Sequence, residues 1–189
     1  MKTMKQTSIK QLCICGICIA LCYVLPLAFH AVGAGSVFSP MHIPVLLCGL
    51  VCGGGYGMFC GLAGPLLSSL LSGMPGVTGL IFMVPELMVY GLAAGVCVTL
   101  IRTGKTVADL YIALVIAMIL GRIAGGIAQA LFFLGNGQPF GIAAWISGYF
   151  VGSLPGIVAH LVVIPALVLV LMGAGVIPAR YIKKCDAEA

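Results

Sequence analysis

The chain has 189 residues, of which 62% are hydrophobic and 7% charged, with a formal net charge of +5. Its mean hydropathy is +1.24, and a soluble domain of this size could not cover its surface with so few charges. A helix needs about 20 mostly apolar residues to cross a bilayer, so the length allows about six spans with short loops and leaves no room for a separate soluble domain. These quantities predict an all-α membrane protein, folded as a single integral domain over residues 1–189, in contact with lipid and not with nucleic acid.

Residues 9–29 form the first predicted span, preceded by Lys2, Lys5 and Lys10. No small-residue cleavage site follows it, so it reads as a retained helix rather than a signal peptide. Residues 38–76, FSPMHIPVLLCGLVCGGGYGMFCGLAGPLLSSLLSGMPG, are apolar yet crowded with Gly and Pro. A soluble core helix would not carry so many helix breakers, whereas two short, closely packed membrane helices could. Gly53, Gly54 and Gly55 divide the stretch into helices predicted over 41–52 and 56–72. If these form a hairpin, Ser39 and His42 lie on the same side as Ser68, Ser69 and Ser72. A tight loop over 73–79 leads to a span over 80–101 and a charged turn over 102–108. Asp109 is placed to cap the next span, which runs to 134. A polar turn over 135–139 holds Asn136 and Gln138. Residues 140–153, with the sole tryptophan Trp145, read as a short interfacial or re-entrant helix. The last span covers 155–176, and basic residues follow over 180–184.

Orientation follows from the basic residues near the span ends. With the N-terminus inside, Lys2, Lys5, Lys10, Arg102, Lys105, Arg180, Lys183 and Lys184 are all cytoplasmic, and the outer loops carry no Lys or Arg. Both termini are then cytoplasmic. Arg122 alone among the basic residues falls within a span. At 1.5 Å per residue, Glu86 lies about 10 Å from the outer face. Arg122 lies near the middle, Gln129 above it, His160 in the outer part of the last span and His42 at an outer helix end. The inner halves are nearly all apolar. This pattern predicts a cavity that opens outward and is closed below.

Ionisable side chains inside a membrane are rare and costly, and they normally face a cavity or a partner. Glu86 and Tyr90 share one helix face; Arg122, Gly125, Gly126 and Gln129 share another. Either Glu86 and Arg122 touch a polar solute, or they pair with each other between two spans. A lone intramembrane His more often bonds a backbone carbonyl than a ligand, and His42, beside Pro40 and Pro44, is the better ligand candidate of His42 and His160. Trp145 and Tyr149 could stack on a ring, although aromatic residues near an interface usually anchor it.

Nine cysteines are present, and Cys15, Cys18 and Cys22 share a face. Cys15-Gly16-Ile17-Cys18 is a lone CxxC pair in an apolar span, with no nearby His to complete metal-ligand spacing, so these thiols read as small apolar residues. Gly104-Lys105-Thr106 resembles the end of a phosphate-binding loop, but Thr99 stands where that signature needs Gly, and a membrane helix replaces the strand. With no HExxH or GxSxG either, neither an enzyme nor a bound cofactor is expected. Gly16 and Ala20 form a small-xxx-small pair that would let a helix approach closely, within the chain or from a partner.

These features together resemble the substrate-binding S component of energy-coupling factor (ECF) vitamin transporters, over almost the whole chain. The resemblance is carried by the size, the basic N-terminus before a small-xxx-small span, MHIPVLLCGLVCG at 41–53, GLAGPLLSSLLSGMPG at 61–76, PELMVYGL at 85–92 and SLPGIVAHLVVIPALV at 153–168. It implies high-affinity binding of a vitamin or related micronutrient from outside the cell, and a multi-pass protein of the bacterial plasma membrane. It also implies association with a transmembrane T subunit and two cytoplasmic ATPases, and toppling in the membrane during the cycle. The family's AxxxA surface for the T subunit would correspond to Gly16 and Ala20, with Gly in place of the first Ala. The expected substrate-binding residues are His42, Glu86, Tyr90, Arg122, Gln129, Asn136 and Gln138. Arg122 favours a carboxylate-bearing vitamin such as pantothenate or niacin, Glu86 a cationic ring compound. The rival readings are a ligand-free structural or assembly membrane protein and a stand-alone proton-coupled carrier.

Overall fold

The computed structural model describes residues 2–31, 33, 39–101, 103, 105–138, 141–148 and 152–175. Among them are seven α-helices and no strand: α1 Lys2–Ala31, α2 His42–Cys52, α3 Gly54–Ser72, α4 Val77–Leu100, α5 Thr106–Gly135, α6 Ile142–Ile146 and α7 Leu154–Gly173. Arg102, Tyr149, the predicted end of the last span at 176 and the basic run over 180–184 lie outside the described residues.

Helices α1, α4, α5 and α7 are long and apolar enough to cross a bilayer. Helix α2 has 11 residues and is therefore about 16 Å long, roughly half the hydrocarbon thickness. Helix α3 has 19 residues, but five are Gly, one is Pro and three are Ser, which lowers its hydropathy. The expected six-span count treats α2 and α3 as two further crossings.

The break between α2 and α3 falls on Gly53 alone, with Gly54 and Gly55 already helical. Gly53 takes φ +99°, a conformation that other residues rarely adopt. It reverses the chain so sharply that Gly49 and Gly57, four residues to either side, touch. A Cβ built on Gly57 would lie 2.6 Å from Gly49 Cα and 2.5 Å from the carbonyl oxygen of Gly91. Three backbones thus meet with no side chain between them. The seam continues along α3 and α4, where a Cβ on Gly95 would lie 2.5 Å from Gly54 Cα and one on Gly61 2.5 Å from the Leu87 carbonyl carbon. Small residues at such crossings let dispersion and backbone contacts replace the hydrophobic drive that lipid does not supply.

Helix α1 packs on the hairpin through its thiol face. Cys15, Cys18 and Cys22 are buried, while Cys13 is exposed. Cys15 Sγ donates to the Tyr56 carbonyl at 3.7 Å and Cys22 Sγ to the Met41 carbonyl at 3.8 Å. From α2, Cys52 Sγ donates to the Gln11 carbonyl at 3.6 Å. With Cys48 and Cys60 also in the core, the thiols act as small packing residues with a weak donor.

These contacts fix two ends of the bundle. The Gly53 end holds Lys10 at the start of α1, the C-terminus of α4 and Lys105 at the start of α5. Asp109 is not the N-cap of α5, which is Lys105. It sits in the first turn and accepts the Thr103 N–H at 2.9 Å, where a carboxylate also favours the helix dipole. The opposite end holds the start of α2, the end of α3 and the starts of α4 and α7. There Gly73, with φ +70°, ends α3 by donating to the Ser69 carbonyl at 2.9 Å. Ser68 donates to the Met74 carbonyl at 2.7 Å and Ser72 to the Ser68 carbonyl at 2.7 Å, so both hydroxyls close the turn into α4.

The glycine seam predicts a sharp contrast between neighbours. Gly57→Ala should destabilise the protein by about 1–3 kcal/mol through overpacking, read as a lower melting temperature in detergent. Gly55→Ala, where a Cβ meets nothing within 4 Å, should leave the melt unchanged or raise it. Equal melts for the two variants would contradict the seam.

Candidate binding site

All five buried polar residues among those described, His42, Ser68, Glu86, Arg122 and His160, belong to the half of the bundle away from Gly53. The buried residues toward the other end, including Val98, Leu110, Ala113 and Leu114, are apolar. The one-sided distribution expected from sequence is therefore present in three dimensions.

His42 and Glu86 are each held by a contact close by in the chain. His42 is the first residue of α2. Its backbone N–H donates to the Ser39 carbonyl at 3.1 Å, and its ring Nδ1 lies 3.1 Å from the same oxygen. A carbonyl only accepts, so Nδ1 carries the hydrogen and Nε2 points onward. Ser39 holds this position at φ +43°, a region unfavourable for a residue with a Cβ and one often found at functional sites. His42 Nε2 lies 3.6 Å from Glu86 Oε1, an ion-pair distance rather than a hydrogen bond. Tyr90, one helical turn beyond Glu86, donates its O–H to the same Oε1 at 3.0 Å. The His42 ring meets Tyr90 edge-on at 5.1 Å and stacks on His160 at 5.6 Å with 22° between planes. His42, Glu86 and Arg122 are each 6% exposed, Tyr90 and His160 1%, so these polar groups are largely out of reach of bulk solvent.

Helix α5 makes room for them with glycines in two adjacent rows. In the first row, a Cβ on Gly121 would strike the Tyr90 ring at 2.5 Å, and one on Gly125 would lie 2.9 Å from Glu86 Oε2. In the second row, one on Gly126 would strike the Trp145 indole at 2.5 Å. Arg122, one turn before Gly126, donates from Nη1 to the Ser153 hydroxyl at 2.8 Å. Glu86 goes to His42 and Tyr90, while Arg122 reaches the start of α7.

Gln129 lies on the Arg122 face, and its Oε1 is buried with no hydrogen-bond partner among the described residues. Asn136 and Gln138 are exposed in the turn after α5. The Asn136 amide donates back to the Phe132 carbonyl at 2.8 Å, so it caps its own helix. Gly16 and Ala20 are exposed on the outer face of α1, and a Cβ on Gly16 would meet nothing within 4 Å. They do not serve packing among the described residues. Trp145, expected as an interface anchor or a ring-stacking residue, sets its indole against Gly126. Helical period offered one signal: Gly126 stands four residues after Arg122, on the same face.

The described residues are helical, four of the helices can cross a bilayer, and the buried polar groups gather at one end. A family model described as the ECF transporter, substrate-specific component, matches residues 10–177. The chain belongs to this family. No curated protein matches it, and no solved structure does.

The hydrogen bond between Tyr90 and Glu86 predicts a measurable coupling. Tyr90→Phe should cost about 1–3 kcal/mol by leaving a buried acceptor short of a donor. The same change in a Glu86→Gln background should cost less, since the acceptor is then neutral. A double-mutant cycle on thermal unfolding measures the difference, and strict additivity would contradict the contact.

Proposed function

We propose that the protein binds a water-soluble vitamin or related micronutrient from the extracellular side, as the S component of an ATP-driven ECF importer in the bacterial plasma membrane. Its membership of the family supports this. The observation that carries the reading is the gathering of every described buried polar residue at the end of the bundle away from Lys10 and Lys105. With basic ends on the cytoplasmic side, that end faces outward and both termini face inward. The glycine seam and the apolar core beyond it favour binding over conduction.

The solute is a carboxylate-bearing vitamin such as pantothenate or niacin. Glu86 Oε1 already accepts from Tyr90 and faces His42 Nε2 at 3.6 Å, and Oε2 lies against Gly125. The carboxylate thus orients its neighbours and is poorly placed to receive a cationic ring. The planar Arg122 guanidinium matches a carboxylate through paired N–H···O bonds. Gln129 Oε1 suits a hydroxyl or amide donor of the same solute. His42 and Tyr90 line the adjoining row, with Asn136 and Gln138 at the mouth. The open face of Gly16 and Ala20 on α1 suits the T subunit, which would join the chain to two ATPases.

Arg122→Ala should weaken binding of pantothenate or nicotinate roughly ten- to a hundredfold, the loss expected for hydrogen bonds to a charged group at about 1.5–3 kcal/mol. Arg122→Lys should recover only part of it. Calorimetry on the purified protein measures this, and unchanged affinity in Arg122→Ala would remove the carboxylate. A ligand-free assembly protein would bind neither vitamin. A proton-coupled carrier using Glu86 would transport in liposomes alone, whereas an S component should co-purify with a T subunit and ATPases.

A further inference from the structure

We propose that Trp145 is a ligand-contacting, specificity-determining residue, seated by Gly126 so that its indole bears on the apolar body of the solute whose anionic end meets Arg122. This inference rests on the binding reading above and deepens it by defining the shape of the ligand.

Helix α6 spans five residues, Ile142–Ile146, far too few to be stable by itself. Its position therefore depends on what its side chains meet. Ile142 and Ile146, four apart and on one face, are 64% and 47% exposed. Trp145, from the same short helix, is half-buried. Its Cε2, Cζ2 and Nε1 atoms would lie 2.5–2.7 Å from a Cβ on Gly126. Position 126 thus accepts no side chain while the indole is in place. An aromatic ring used only to anchor the bilayer interface needs no such socket.

The socket has a defined relation to the rest of the site. Gly126 and Arg122 are four apart on α5, so their side-chain positions are about 5–6 Å from each other on one face. Gln129 lies three residues further along the same face. Arg122, the indole and Gln129 therefore form a row along α5, read as charge, apolar surface and acceptor. The neighbouring row, Gly121 and Gly125, receives Tyr90 and Glu86. A ligand that fits this row has an anionic group, a compact apolar or unsaturated body about 5–6 Å away, and a hydrogen-bond donor beyond it.

Trp145 is the sole tryptophan of the chain, so its emission reports on this position alone. The experiment titrates the purified full-length protein with pantothenate and, separately, nicotinate, reading calorimetry and tryptophan emission in parallel. The proposal expects a saturable emission change with the same midpoint as the heat. It expects Trp145→Ala to weaken binding at least tenfold and Trp145→Phe to retain most of it, with thermal melts close to the parent. Gly126→Ala, which fills the socket, should weaken binding as Trp145→Ala does. Heat of binding with unchanged emission, or parental affinity in Trp145→Ala, would overturn the role of Trp145 and leave the binding reading standing. Absence of both heat and emission change with either vitamin would instead take down the carboxylate-vitamin reading, and this one with it.

Discussion

A carboxylate placed among apolar helices has to be given partners by the fold. Glu86 lies nine residues into α4, and the neighbouring elements are arranged around that position. Tyr90 supplies a hydroxyl from the next turn of the same helix. His42 supplies a ring nitrogen from α2, and α5 withdraws its side chains at Gly121 and Gly125 so that both residues fit. The shortness of α2 follows from the same requirement. An 11-residue helix beginning at His42 and turning at Gly53 brings its first residue to the depth of Glu86, where a full-length span would carry it past.

The two ends of the bundle serve opposite purposes. Near Gly53, three backbones touch through Gly49, Gly57 and Gly91, a contact that leaves no space for a solute. Away from it, polar groups replace glycine contacts, and α5 uses its glycines to hold other side chains rather than other backbones. A subunit built this way can hold a guest at one end without offering it a path to the other. Movement of the guest inward then requires work done on the whole subunit, which suits a family whose ATPases are separate proteins.

Much of this was legible in the chain. The hairpin helices expected over 41–52 and 56–72 appear as His42–Cys52 and Gly54–Ser72, because a glycine run announces a break without saying which glycine takes the positive φ. That Cys15, Cys18 and Cys22 share a face followed from helical period, and the fold makes that face a buried one. What period cannot give is which face meets which neighbour. Glu86 and Arg122 were the two charges at membrane depth, and sequence left open whether they pair. In the fold, α5 presents Gly125 to Glu86 and sends Arg122 to the Ser153 hydroxyl beside α7. The stacking of His42 on His160 joins residues more than a hundred positions apart and has no local signature. The seating of the Trp145 indole on Gly126 was hidden for the same reason, since it joins residues of two separate helices. The fold class was therefore readable from composition and the membership of the polar end from depth, whereas the pairing within that end required the packing.

The most direct test of the central claim is native mass spectrometry of the protein purified from cells, released gently from detergent. If the polar end of the bundle holds a hydrophilic solute, the spectrum should contain a second species, heavier than the chain by the mass of one small carboxylic acid. That species should disappear when Glu86 is replaced by Leu in a variant that still folds. A chain that carries no small molecule, and acquires none after incubation with the pooled water-soluble vitamins, would contradict the account.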